Sequence, residues 1–381
     1  MVSARASAPS GPALRLALGL TALVLLLGGC ASTVDRDALR LNDIQTVGSH
    51  NSYKQPMDPL LLEALVEAAG PRMLSLDYAH PPLAEQLDDG LRKLELDVFH
   101  DPEGGRYERP LGLLQVRARG GEPAAFDPEP LRRSGFKVLH VQDIDFRSSC
   151  VTLIACLETL RAWSDANPGH LPIAVSLNAK QAEIDVPGSV RPLPFDADAW
   201  DALDAELSSV LGDRLLRPDA VRGTARSLRA AVTGRGWPLL DEVRGRFLFV
   251  LDEPLPVLKS YLTGHEGGRG RVMFAAVPED HPAAAFLVLN DPVAEAERIR
   301  QAVADGFLVR TRADADTREA RSGDTRRRDA AFESGAHFVS TDYRRPDPRF
   351  TTGYAVVLPG GVEARCNPVR VSDPLCRVAG P

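Results

Sequence analysis

Two rhythms of apolar and polar positions alternate along the chain. Short apolar runs occupy residues 44–48, 93–98, 137–141, 172–177, 246–251, 286–290, 307–311 and 337–341, and each reads as a buried strand. Between them, residues 60–69, 153–166, 199–211, 294–304 and 325–334 repeat their apolar positions at helical spacing. Strands alternating with helices predict a parallel sheet with crossover helices. Eight such units over roughly 300 residues predict a closed (β/α)₈ TIM barrel rather than an open sheet. A ninth run, 272–276, competes for the sixth strand position.

Two long insertions interrupt the pattern. Residues 102–130, rich in Gly, Pro and Arg, and residues 181–195 are expected to be elaborated loops on the top of the barrel. The barrel is expected over 41–350, after a polar tether at 31–40. A C-terminal extension over 351–381, carrying a cysteine pair, reads as a cap rather than a second domain. Neither an internal repeat nor a low-complexity segment is found.

The first thirty residues follow neither rhythm. Arg5 and Arg15 precede or open a short apolar core at 16–27, and Leu27-Gly28-Gly29-Cys30 follows. Positive charge, a short apolar stretch and small residues before a cut site make a secretory signal. Small residues directly before Cys30 resemble the lipobox of bacterial lipoproteins, which implies a lipid on Cys30. The chain is thus expected in the bacterial cell envelope as an exported, membrane-anchored lipoprotein, and as a monomer. Removing the signal takes the formal charge from −7 to −9. That balance gives no indication of a broad basic surface, and no nucleic-acid partner is expected. The remaining cysteines, Cys150, Cys156, Cys366 and Cys376, form two sequence-close pairs, as expected for local disulfides in an oxidising compartment.

Candidate chemistry collects at the strand ends, where barrels place their active sites. His50 and Asn51 close the first strand, and His140 closes the third, the run at 137–141. Glu95 and Asp97, two apart, share one side of the second strand. Asn178 and Lys180 share a side at the end of the fourth. Asn51, Glu95, Asp97 and Asn178 offer oxygen ligands that suit Ca²⁺ better than zinc. The two histidines are left to move protons around a phosphodiester. Lys180 and Arg310 suit an anionic substrate. Arg312, Asp314 and Asp316 read equally as a rim ion-pair network or as substrate contacts. Arg326-Arg327-Arg328 reads as a solvated helix face, with attraction to anionic lipid as the alternative.

The ordered motifs Gly48-Ser49-His50-Asn51-Ser52-Tyr53, Glu95-Leu96-Asp97-Val98 and Lys137-Val138-Leu139-His140 resemble the bacterial Ca²⁺-dependent, phosphatidylinositol-specific phospholipase C1-like family. The segment FLVRTRADADT at 307–317, Val339-Ser340-Thr341-Asp342-Tyr343 and the Cys150/Cys156 pair resemble it too. The resemblance spans most of 41–376. It implies a barrel of the PLC-like phosphodiesterase type, Ca²⁺ as cofactor, and a phospholipid substrate at a membrane surface. It also implies His50 as general base and His140 as general acid, giving diacylglycerol and a cyclic inositol phosphate. One position departs from the pattern: related enzymes often supply a glutamate to the metal from the fourth strand, where this chain has Asn178. Two other readings compete. A glycerophosphodiester phosphodiesterase would use the same barrel and metal pair, but typically opens with His-Arg where this chain has His50-Asn51. A non-catalytic, lipid-anchored phospholipid-binding protein has only Asn178 in its favour.

Overall fold

The structure is a computed structural model and describes residues 38–371 and 376–378. The signal segment, Cys30 and most of the tether lie outside the described residues. The strands are β1 (Ile44–Ser49), β2 (Lys93–Phe99), β3 (Lys137–Val138), β4 (Ile173–Ala179), β5 (Phe247–Leu251), β6 (Phe274–Ala275), β7 (Phe286–Val288), β8 (Leu308–Arg312), β9 (Phe338–Thr341), β10 (Ala364–Cys366) and β11 (Arg377–Val378). Eight of them form a parallel, nearly closed barrel in the order β6-β5-β4-β2-β1-β9-β8-β7. It is a TIM barrel of the expected class.

The composition of the barrel wall corrects one expectation. The run at 137–141 is not a wall strand. Only Lys137 and Val138 are strand, and they pair antiparallel with Phe99 and Val98 at the exit of β2. The wall passes directly from β2 to β4 over six paired residues. The run at 272–276 supplies the missing wall strand as β6, paired parallel with β5. The difference is physical. Apolar content reports burial, and a two-stranded ribbon covered by loops buries its residues as fully as a wall strand does.

Alternation along the wall sorts the side chains. Leu94, Leu96 and Val98 join the apolar core with Leu157 and Leu160 of the helix Leu153–Ala166. Lys93, Glu95 and Asp97 face the other way. Glu95 reaches across to Arg310 on β8, a strand two places removed from β2's neighbour β1. The helices start where capping residues dictate: Thr152 accepts the amide of Ala155, and Asp196 that of Ala199. The C-terminal extension is built into the sheet. β10 runs antiparallel to the start of β1 and carries β11, while β1 meets β2 at Gly48 and Lys93. Disulfides join Cys150 to Cys156 and Cys366 to Cys376.

Candidate active site

A pocket of about 510 Å³ opens at the carboxyl ends of the wall strands. It is lined by His50 after β1, Glu95 of β2, Asn178 of β4, Asp252 and Glu253 after β5, and Arg310 and Arg312 of β8, among others. The barrel closure thus brings together residues more than 250 positions apart.

His50 is held by Asp342, which follows β9. Nδ1 lies 2.8 Å from the Asp342 carboxylate. Burial opposes ionisation of Asp342, but the charges of His50 and Arg312 outweigh it and hold the carboxyl at about 2. An ionised acceptor fixes the proton of neutral His50 on Nδ1 and leaves Nε2 basic. Nε2 faces Glu95 and Arg312, each at 3.5 Å. Burial and the Arg312 guanidinium lower the His50 pKa, against the opposite pull of Asp342 and Glu95. The ring also stacks on Tyr78, whose hydroxyl accepts from Asn51 Nδ2 at 2.7 Å.

His140, two residues beyond β3, is held in the same way but is not among the residues lining this pocket. Its Nδ1 donates to Asp145 at 2.8 Å. Lys54, fully buried, donates to the second Asp145 oxygen at 2.8 Å. Burial again opposes the charge of Asp145, yet Lys54 and His140 keep its pKa below the ordinary carboxylate value. The turn that presents His140 closes on itself, since its amide donates to the carbonyl of Asp145. The two histidines are linked through the protein: Lys54 sits 5.2 Å from the ring centroid of Tyr78, the residue stacked on His50.

Glu95 is gripped by cations. Lys93 donates to it at 2.5 Å and Arg310 at 2.8 Å, and both cations are buried. Burial works against its charge, but Arg310 and Lys93 drive its pKa well below the usual range. Arg310 is further fixed by Ser340 and Asn290. Asp97 pairs with Lys180 at 3.2 Å and lies beside Asn178 in the β2–β4 ladder.

A model of the family described as phosphoinositide phospholipase C, Ca²⁺-dependent, matches residues 39–368. The chain belongs to that family. It is therefore a phospholipase C-type enzyme with Ca²⁺ as cofactor. Among solved structures, the calcium-dependent phosphoinositol-specific phospholipase C of a Gram-negative Pseudomonas species, in its apo form, aligns with a TM-score of 0.52 at 18% identity, covering 88% of this chain and 97% of that one. The Ca²⁺-dependent phosphatidylinositol-specific phospholipase C of Streptomyces antibioticus aligns with a TM-score of 0.50 at 19% identity, covering 80% and 95%. At such identities the likeness establishes the shared fold. No curated protein sequence matches the chain.

The residues of this phospholipase C-type pocket fit a hard cation. Asn178 Nδ2 donates to the carbonyl of Asp252, and its Oδ1 is buried without a hydrogen-bond partner. Burial, aided by the charges of Glu95 and Asp97 and opposed by Arg310, raises the pKa of Asp252. A divalent ion would relieve both conditions. Among the described residues no three His, Cys, Asp or Glu side chains form a ready cage, so water or substrate oxygens would complete the coordination.

Several residues of the site are not singled out from the sequence. Asp342, within the motif at 339–343, and Asp252 follow strands as His50 does, and the same strand-end logic identifies them. Asp145 and Lys54 carry no such signal, because the turn that unites them forms only in the fold. The open readings of the β8 loop separate: Arg312 joins the site, Asp314 is buried behind it on the amide of Asp342, and Asp316 makes an exposed pair with Arg318. In the triple-arginine segment Arg326 pairs with Asp324 at the surface, whereas Arg327 reaches the carbonyls of Arg312 and Asn290.

Proposed function

We propose that this enzyme cleaves phosphatidylinositol to diacylglycerol and inositol phosphate by general acid–base catalysis. The observation that supports it most is the pair of histidines, each with Nδ1 held by a buried, ionised aspartate at 2.8 Å; His50 lines the cation-rich pocket, and His140 follows β3 at the exit of β2. Neutral His50 takes the proton of the inositol 2-hydroxyl at Nε2. The oxygen attacks phosphorus, and the bond to the glycerol oxygen breaks. His140 protonates that leaving oxygen, giving diacylglycerol and a cyclic inositol phosphate. Water opens the ring in a second step with the two roles reversed. Arg312 is placed to meet the phosphoryl oxygens, with Lys180 and Arg310 adding positive charge. A preorganised donor of this kind is typically worth about 3 kcal/mol in the transition state. Asn51, Glu95, Asp97 and Asn178 are the residues that would hold Ca²⁺, which supplies a charge that acidifies the attacking hydroxyl and offsets charge on the phosphoryl group.

The same reading places the enzyme in the cell envelope, anchored through Cys30 beside its lipid substrate. The signal-like first thirty residues and the two local disulfides support it. Parallel assays of diacylglycerol release from phosphatidylinositol and of glycerol-3-phosphate release from glycerophosphoinositol test the function. Release from the intact lipid is expected. Release from the deacylated diester alone would make the chain a glycerophosphodiester phosphodiesterase, and lipid binding without any turnover would make it a binding protein.

A further inference from the structure

β4 carries Asn178 next to its last residue, so the metal site has one charge fewer than a carboxylate there would give. Glu95 contributes little free charge either, since Lys93 and Arg310 both hold it. The neighbouring strand offers a replacement. β5 ends at Leu251, and Asp252 follows directly, in the same pocket as Asn178 and Glu95. Three observations single it out. Asn178 Nδ2 is tied to the Asp252 carbonyl at 2.6 Å, which fixes the two residues against each other and turns the unpartnered Oδ1 of Asn178 away from that bond. The Asp252 carboxylate accepts no hydrogen bond among the described residues; its nearest cation, Arg310 Nη1, stands at 3.9 Å, beyond bonding distance. Its side chain is 21% exposed, toward the pocket rather than the core. A partly desolvated, unbonded carboxylate beside an orphaned carbonyl is an unusual pairing in a folded protein, where buried polar groups find partners.

Adjacent Glu253 differs. Its Oε1 accepts the amide of Ala179 at 2.5 Å, which commits it to bracing β4 against β5.

We infer that Asp252 is a Ca²⁺ ligand of this chain, supplying from β5 the charge that Asn178 does not supply from β4. The inference rests on the Ca²⁺-dependent reading of the site. It shifts the charge centre of the metal site along the wall, from β2 toward the β4–β5 seam. Affinity for Ca²⁺ follows the number of ligand charges, so one added carboxylate changes it measurably.

Calorimetric titration of CaCl₂ into the full chain, with melting temperature in EDTA and in Ca²⁺ as a second readout, tests the assignment without turnover. D252N is expected to weaken Ca²⁺ binding by about tenfold or more and to shrink the Ca²⁺-induced rise in melting temperature, with the EDTA melting temperature unchanged. N178D added to D252N is expected to restore most of the affinity, because it returns the charge on the adjacent strand. E253Q is expected to change affinity by no more than about twofold, since that oxygen is engaged by the backbone. Wild-type affinity in D252N overturns the inference while leaving the Ca²⁺ reading intact. Equal losses in D252N and E253Q overturn it as well, showing a diffuse field rather than a ligand. A wild-type chain that binds no Ca²⁺ overturns both together.

Discussion

The roles proposed for His50 and His140 depend on the groups behind them. Each ring donates Nδ1–H to an aspartate, and each aspartate is held by a buried or half-buried cation, Arg312 for Asp342 and Lys54 for Asp145. The cation secures the carboxylate, the carboxylate fixes the tautomer, and the tautomer leaves Nε2 for the substrate. Replacing either histidine by alanine is expected to lower kcat on phosphatidylinositol roughly 10²–10⁴-fold, with the circular dichroism spectrum unchanged. Asp342→Asn should also lower kcat, with little change in KM, because it releases the tautomer without touching the pocket wall; an unchanged rate would show that His50 needs no such partner. Gly48 acts through absence. A Cβ there would lie 2.4 Å from the carbonyl oxygen of Lys93, at the point where β1 meets β2. Gly48→Ala is expected to destabilise the fold by roughly 1–3 kcal/mol, read from urea denaturation.

At the scale of elements, the helices and most strands are legible from periodicity because each buries one side or both against the same core. The helix over 153–166 is an example: its apolar positions alone mark Leu153, Leu157 and Leu160, all fully buried. Direction of pairing is not legible in this way. Val138 and Phe274 are equally buried, yet one belongs to an antiparallel ribbon and the other to the barrel wall. For the site, residues at strand ends could be read in advance, whereas the Lys54–Asp145–His140 chain depends on two loops meeting. His337, at the entry to β9, shows how an element end couples to pH. Its Nδ1 accepts the amide of Val309 and its Nε2 donates to the carbonyl of Asn42, so only the neutral ring fits. Burial lowers its pKa to about 3, against the bond to Asn42. The unfolded chain therefore binds a proton that the fold rejects between that value and the ordinary histidine pKa near 6.5. Stability is fully present above pH ~6.5 and falls by up to about 1.4 kcal/mol per unit below it. His80, lowered by burial to about 4, acts in the same direction. His337→Gln, which cannot titrate, is expected to flatten part of this acid slope in denaturation curves between pH 4 and 7; an unchanged slope would mean that other groups control it.

For the whole molecule, the proposal of a lipid anchor on Cys30 can be tested apart from the barrel's chemistry. Among the described residues no helix is long and apolar enough to cross a membrane. Cys30→Ser is expected to move the protein from the membrane fraction to the soluble fraction of cells, with activity on dispersed substrate retained; persistence in the membrane fraction would count against the anchor. The most direct measurement is a ³¹P NMR time course on phosphatidylinositol vesicles, run with Ca²⁺, with a chelator, and with His50→Ala in Ca²⁺. The phosphodiester signal of the lipid should give way to that of an inositol cyclic phosphate in the first sample and persist in the other two. Undiminished turnover in the chelator, or turnover by His50→Ala at the native rate, would contradict a Ca²⁺-dependent mechanism in which His50 is the base.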